Sequence, residues 1–173
     1  MRALLKSASI LLILSLILSL CACGATVINH CELHITLSPD YTEYDSDGSY
    51  DLSYSDGRLI VGILRFSHAA CLEDGVPITL TPLKFAEFYR SRAEGAEGLS
   101  AVDEHGDIPY FTYTLTGESG TQYTYMPTFY KSYYAYFLVM FITPSELYEG
   151  TRVEIFDIIE GVYLVNDKAE QTK

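Results

Sequence analysis

Six carboxylates fall between residues 40 and 56, at Asp40, Glu43, Asp45, Asp47, Asp51 and Asp56, with no Lys or Arg before Arg58. Within this stretch Glu43-Tyr-Asp45-Ser-Asp47-Gly48 sets an oxygen ligand at every second residue ahead of a glycine, the spacing by which a calcium loop wraps oxygens around a hard cation. The closing bidentate acid is missing, because Tyr54 takes its place, and Asp51 is the one acid positioned to substitute. Glu43, Asp45, Asp47 and Asp51 are therefore the candidate metal ligands, although a solvated acidic loop accounts for the same residues without any ion. His30, Glu32 and His34 alternate, so a strand would put two imidazoles and a carboxylate on one side. Metal sites draw on spaced ligands and a supporting outer shell, which this pattern lacks, and it reads as a polar outer face. Nucleophile chemistry has no foothold either: the chain contains no G-x-S-x-G, no Cys-His signature and no glycine-rich phosphate loop. Carboxylates confined to an exposed loop lack the surroundings that would tune them for general acid work. The sequence predicts no catalytic residue and no cofactor.

The four cysteines do different work. Arg2 and Lys6 precede an apolar and serine-containing run over residues 10–20, with small residues beyond, the layout of a secretory signal peptide. That run is shorter than the ~20 apolar residues needed to cross the hydrocarbon core. It ends in Leu20-Cys21-Ala22-Cys23, which resembles the lipobox of bacterial lipoproteins and implies lipidation at Cys23. Cys21 fits less well as acceptor, since Leu20 would then stand where the pattern wants a small residue. On this reading residues 1–22 are removed, 23–31 form a lipidated linker, 32–166 a single domain and 167–173 a polar tail. Two acyl chains give stable anchoring where one does not, so the expected location is the extracytoplasmic face of a bacterial cell membrane. Cys31 and Cys71 are then the remaining thiols, and outside the cytoplasm a Cys31–Cys71 disulfide is a candidate that spacing alone does not establish. The chain carries 23 acidic and 11 basic residues, net −12, and loses Arg2 and Lys6 with the leader, which takes the net charge to −14. A surface of that sign excludes nucleic acid as a partner, because phosphate binding needs clustered Lys and Arg.

These residues must be positioned by a scaffold, and its centre is the stretch over residues 108–142. Phe111, Tyr113 and Leu115 alternate with threonines, Tyr123 and Tyr125 continue the period of two, and residues 133–142 are apolar or aromatic throughout. Three antiparallel strands are expected, the last buried on both faces in the middle of the sheet. Upstream, a first strand is expected over residues 32–37, and Asp56-Gly57 between alternating runs predicts a type I′ hairpin. Residues 68–75 read as a connection. Thr81-Pro82 opens a helix with a good N-cap and a proline at the first position. A weak turn near residue 145 should give way at Gly150 to a fresh helix start, Thr151-Arg-Val-Glu154 being a capping-box pattern. The expected fold class is α+β, an antiparallel sheet with helices packed on its faces.

The order of a Y-S-D-G hairpin, a helix opening Leu-Thr-Pro-Leu, the D-I-P-Y-F-T-Y and Y-T-Y strands, the Y-K-S-Y-Y-A-Y-F-L-V-M-F strand and a final amphipathic helix resembles small bacterial lipoproteins of the PsbP-like class. The resemblance covers residues 33–165 and implies the αβα sandwich shared with the Ran-binding Mog proteins. It also implies a non-enzymatic binding or assembly factor with a protein partner at the cell envelope, and no local motif transfers the partner-binding residues. A calcium- or small-ligand-binding lipoprotein is the alternative, and an unrecognised hydrolase ranks below it. Fifteen tyrosines and no tryptophan favour recognition, since a tyrosine ring buries area while its hydroxyl stays hydrogen-bonded. Tyr41, Tyr44, Tyr50, Tyr123, Tyr130 and Tyr134 are the candidates for such a surface, against packing on the sheet as the plainer account.

Overall fold

The computed structural model describes residues 25–93 and 95–165. Residues 1–22, read as a leader, Cys23, the expected lipidation residue, and the tail from residue 166 lie outside the described residues. The strands are β1 Thr26–His30, β2 Leu33–Leu37, β3 Thr42–Glu43, β4 Leu52–Ser55, β5 Ile60–Ser67, β6 Asp103–His105, β7 Ile108–Tyr110, β8 Tyr113–Thr116, β9 Gln122–Lys131, β10 Ala135–Pro144 and β11 Tyr163–Leu164. The helices are α1 His68–Glu73, α2 Pro82–Arg92 and α3 Tyr148–Glu160, the last preceded by a 3₁₀ turn, Ser145–Leu147.

Strand β10 has no side chain that water would favour before Thr143, and it takes the central place accordingly. The main sheet runs β3-β4-β5-β10-β9-β7-β6, with β8 also pairing to β9, and every neighbouring pair is antiparallel. Val139 lies opposite Ile63 on one side and Thr128 on the other. Because side chains alternate across a strand, β10 feeds two cores. Phe137, Val139 and Phe141 point to the first, which Ile28, Leu33 and Ile35 of the small β1-β2-β11 sheet close together with Ile155 and Ile159 of α3. Tyr136, Leu138 and Met140 point to the second, covered by Cys71 of α1 and Phe85 and Ala86 of α2. Helix α2 begins where expected: Thr81 Oγ1 accepts from the Lys84 N–H at 3.3 Å and Pro82 follows at the first turn.

The structure corrects several expectations. Thr26–His30, read as linker, is a strand paired along its whole length with β2, so Ile28 belongs to the first core. Residues 68–73, read as a connection, are a helix capped by Ser67, whose Oγ accepts from the Ala70 N–H at 3.2 Å. Helix α3 runs through Gly150 without a new start. The Thr151 hydroxyl folds back onto the Leu147 and Tyr148 carbonyls, at 3.2 and 3.1 Å, instead of capping, a bonding mode available to threonine inside a helix. The strand expected to continue from residue 108 breaks at Phe111-Thr112 into β7 and β8. The β4–β5 turn has positive φ at Gly57 (+90°) but not at Asp56, so it is a four-residue loop and not type I′.

The Cys31–Cys71 disulfide does not form: both thiols are free. Cys31 is exposed at the tip of the β1–β2 hairpin, whose strands pack into the first core, whereas Cys71 is buried in the second. The main sheet stands between them, and a disulfide needs Cα atoms within about 7 Å.

Candidate functional site

One row of side chains crosses four strands on the second face. Ile60 of β5 pairs with Ile142 of β10, Ile142 with Tyr125 of β9, and Tyr125 with Tyr113 of β8. The rings of Tyr113 and Tyr125 stack, centroids 5.1 Å apart. Helix α2 is centred away from this row, which it reaches through Tyr89 beside Tyr113. Its Phe85 packs on Phe66, Phe129 and Tyr136, nearer the other end of the sheet, with centroid distances of 5.8, 5.8 and 4.2 Å. What approaches the rest of the row is the acidic loop, residues 44–51.

That loop is tied down from end to end. The Tyr44 N–H donates to the Ser53 carbonyl at 2.8 Å, and the Ser53 hydroxyl returns a bond to the Tyr44 carbonyl. At the far end the Asp51 N–H donates to the Ile63 carbonyl at 2.9 Å, and Asp51 Oδ2 accepts the Arg65 N–H at 2.7 Å. Between them Asp45 Oδ1 accepts the Asp47 N–H at 3.0 Å. Asp47 and Gly48 take successive positive φ values of 51° and 75°, which reverse the chain; Asp and Gly are among the residues that tolerate this. Tyr50 then lies across the strand, its ring against Gly62. A Cβ at Gly62 would stand 2.7 Å from that ring, so the glycine inside β5 is what lets the loop close.

Between loop and sheet lies a cleft of about 310 Å³ walled by Tyr44, Tyr50, Tyr123 and Tyr125, with Asp45 and Asp47 at its rim. A second concavity of about 510 Å³ shares Tyr44, Ile60, Tyr123 and Ile142 with it and continues past Asp56 and Arg58 to Pro144. The two form one groove. Burial, and after it the neighbouring tyrosine hydroxyls, pushes the Tyr50 and Tyr125 phenols above their ordinary range, so they remain neutral hydrogen-bonding groups. Arg58 is the one cation among the described residues lining the groove. Its guanidinium donates to Asp56 at 2.6 Å and to Glu154 at 3.2 Å. Although burial works against it, Asp56 is held below its usual range by the N–H groups of Leu59 and Arg58, both at 2.8 Å, and by that guanidinium. Its positive charge thus spent, the groove keeps the sign of Asp40, Glu43, Asp45 and Asp47.

The residues singled out from sequence are dispersed by this geometry. Glu43, Asp45, Asp47 and Asp51 do not converge: Asp45 caps its own loop and Asp51 holds Arg65. Among the described residues no three His, Cys, Asp or Glu side chains gather around a point that could hold a metal ion. His30, Glu32 and His34 do not share a strand face, because Cys31 (φ +54°) and Glu32 form the turn. His30 Nε2 lies 3.4 Å from Asp51, Glu32 meets Arg65 at 3.4 Å, and His34 stacks on Tyr163. Of the six tyrosines, Tyr41 and Tyr130 are buried in the first core and Tyr134 sits at the exposed β9–β10 turn. Tyr44, Tyr50 and Tyr123 do come together. Tyr125 and Tyr113 escaped selection, although they share the period-2 face of Tyr123, which is the signal that could have found them.

Sheet, layers and strand order together define an α+β fold of the PsbP-like class. Among solved structures the chain is similar to cyanobacterial PsbP (CyanoP) from Synechocystis sp. PCC 6803, with TM-score 0.51 and 11% identity over 83% of this chain and 94% of that one. A protein from Bacteroides thetaiotaomicron VPI-5482 aligns with TM-score 0.56 and 15% identity over 83% of this chain; the match spans 48%, about half, of the Bacteroides chain. LpqN of Mycobacterium tuberculosis, a protein involved in cell envelope biogenesis, aligns with TM-score 0.49 and 10% identity over 83% of this chain and 92% of its own. At such identities the likeness is one of fold. No family model matches the chain, and no curated protein does.

Proposed function

We propose that this chain is a lipid-anchored, extracytoplasmic binding or assembly-factor lipoprotein with no catalytic activity of its own, held at the membrane through Cys23 and engaging a protein partner at the cell envelope. The observation that carries the reading is the composition of the groove. It is walled by tyrosines and rimmed by exposed carboxylates, and among the described residues no His, Cys or Lys lines it, so it offers shape, hydrogen bonds and negative charge without a paired nucleophile and base. The PsbP-like fold supports the same reading. No helix among the described residues is long and apolar enough to cross a membrane, which fits attachment through lipid.

Three measurements test it. The intact protein partitions into detergent as a lipid-modified species and Cys23→Ser abolishes that modification; mass spectrometry of an unmodified mature N-terminus would refute the anchor. Crosslinking in the native envelope, followed by mass spectrometry, yields a recurrent protein partner. Turnover of ester, glycoside or peptide substrates by the purified protein, lost on substitution in the groove, would refute the non-catalytic role.

A further inference from the structure

We infer that the tyrosine groove is a docking site for a basic segment of a protein partner, with an Arg or Lys side chain inserted between Tyr44, Tyr50, Tyr123 and Tyr125. The inference rests on the binding-module reading and assigns that reading its surface and the chemistry of its partner. Three observations select the occupant.

The first is the wall. Four phenol rings border a cleft of about 310 Å³, a volume at the small end of ligand sites and suited to one long side chain. Aromatic faces attract a cation through the ring quadrupole, and Arg uses them most often. The second is the sign. Asp45 and Asp47 stand at the rim of the cleft, Asp40 and Glu43 along its continuation, and Arg58 is already engaged by Asp56 and Glu154. An anionic or purely apolar occupant would leave those carboxylates facing it without compensation, whereas a cation satisfies them. The third is shape and order. The cleft continues into a second concavity of about 510 Å³, so the groove takes an extended segment and not a lone small cation. Its loop wall is already fixed by the bonds at Tyr44, Asp47 and Asp51, which spares the ordering cost that weakens docking onto mobile loops. Tyr44, 45% exposed, forms the ridge common to both concavities.

The test uses the full chain in neutral-detergent micelles. With no tryptophan in the sequence, intrinsic fluorescence reports tyrosines directly. The probes are a blocked octapeptide alternating Arg and Gly, its Glu–Gly counterpart, and choline. The Arg–Gly peptide is expected to change tyrosine emission saturably, and the Glu–Gly peptide to have no effect. Tyr44→Ala, which keeps every charge, weakens Arg–Gly binding about 2- to 30-fold, the span of exposed to desolvated cation–π contacts. Joint Asp45→Asn and Asp47→Asn weakens it as well, while joint Glu73→Gln and Asp74→Asn, at the end of α1 away from the groove, leaves it unchanged. Equal loss from both charge-neutralised pairs, with Tyr44→Ala silent, would reduce the effect to bulk attraction and overturn the inference. Choline binding as tightly as the peptide would replace it with a small-cation site. No saturable response to the Arg–Gly peptide would also overturn it. If that happens while envelope crosslinking still captures a partner, the binding-module reading survives and only the groove assignment falls.

Discussion

The two faces of the central sheet are built from the same strands and filled differently. The first is aliphatic at its lid: Ile28, Leu33, Ile35 and Leu37 from the small sheet and Ile155, Ile158 and Ile159 from α3 close over Val61, Ile63 and Val139. β-branched and leucine side chains interdigitate without polar atoms to satisfy, and the lid extends over the face. The second is aromatic. Phe111, Phe129 and Tyr136 pack ring against ring with Phe85 of α2, and towards one end tyrosines replace phenylalanines and the cover becomes a loop. A tyrosine can bury its ring and leave its hydroxyl at the water boundary, so this face thins into a groove whose tyrosine hydroxyls are not left buried without a partner. One face is specialised for holding the sheet together, the other for presenting part of it.

Three substitutions separate the two roles, beginning with the largest effect. Phe137→Ala, in the first core where Phe137 is fully buried, is expected to cost about 3–5 kcal/mol in urea unfolding while leaving the groove's affinity for a basic peptide intact in whatever fraction stays folded. A loss under ~1 kcal/mol would mean that the first face is not the structural one. Gly62→Ala strikes the second face. The new Cβ would fall 2.7 Å from the Tyr50 ring, and overpacking of this kind costs about 1–3 kcal/mol. Tyrosine emission should change with it as the ring is displaced, and an unchanged spectrum and stability would show that Tyr50 does not close the loop onto β5. Thr81→Ala removes the N-cap of α2 and should cost about 1 kcal/mol. Hydrogen exchange should quicken in α2 and the amides beneath it, not in β1 and β2; uniform acceleration would mean that the two lids open as one unit.

The centre of the sheet and the start of α2 were the parts most legible from sequence. The unbroken apolar run of β10 announces a central strand, because no other placement hides both of its faces, and Thr81-Pro82 announces a helix start by chemistry local to those residues. The parts that escaped depend on partners distant in the chain. Thr26–His30 is five residues beside a leader, and its strand character exists through pairing with β2. Helix α1 is six residues long, too short to show a period. Helix α3 continues through Gly150 because burial of Ile155, Ile158 and Ile159 outweighs the weak local signal there. The groove is the extreme case. It requires the register that aligns Ile60, Ile142, Tyr125 and Tyr113, the positive φ at Asp47 and Gly48, and a glycine in β5 under Tyr50. The acidic loop drew attention as a chain of metal ligands, and its structural use is to form a wall.

The smallest expected effect concerns pH and again distinguishes the lids. His68 opens α1 on the second face, its ring edge-on to Tyr136 at 5.3 Å. Burial, and after it the charge of Lys131, lowers its pKa below the ordinary value, so the fold favours neutral imidazole. The unfolded chain takes up its proton near the usual ~6.5. Between that value and the lower folded-state value the unfolded state binds more protons, and stability therefore rises with pH. The contribution is complete above ~6.5 and is lost progressively as pH falls towards the folded-state pKa. Urea midpoints at pH 7.5 and 5.5 should accordingly differ more in the parent protein than in His68→Gln, whose side chain does not titrate. Acidification should first accelerate hydrogen exchange around α1 and the Tyr134–His68 contact, where the His68 N–H donates to the Tyr134 carbonyl at 2.9 Å, and spare the aliphatic lid. An equal pH response in parent and variant would remove His68 from the account and leave the difference between the two faces one of packing alone.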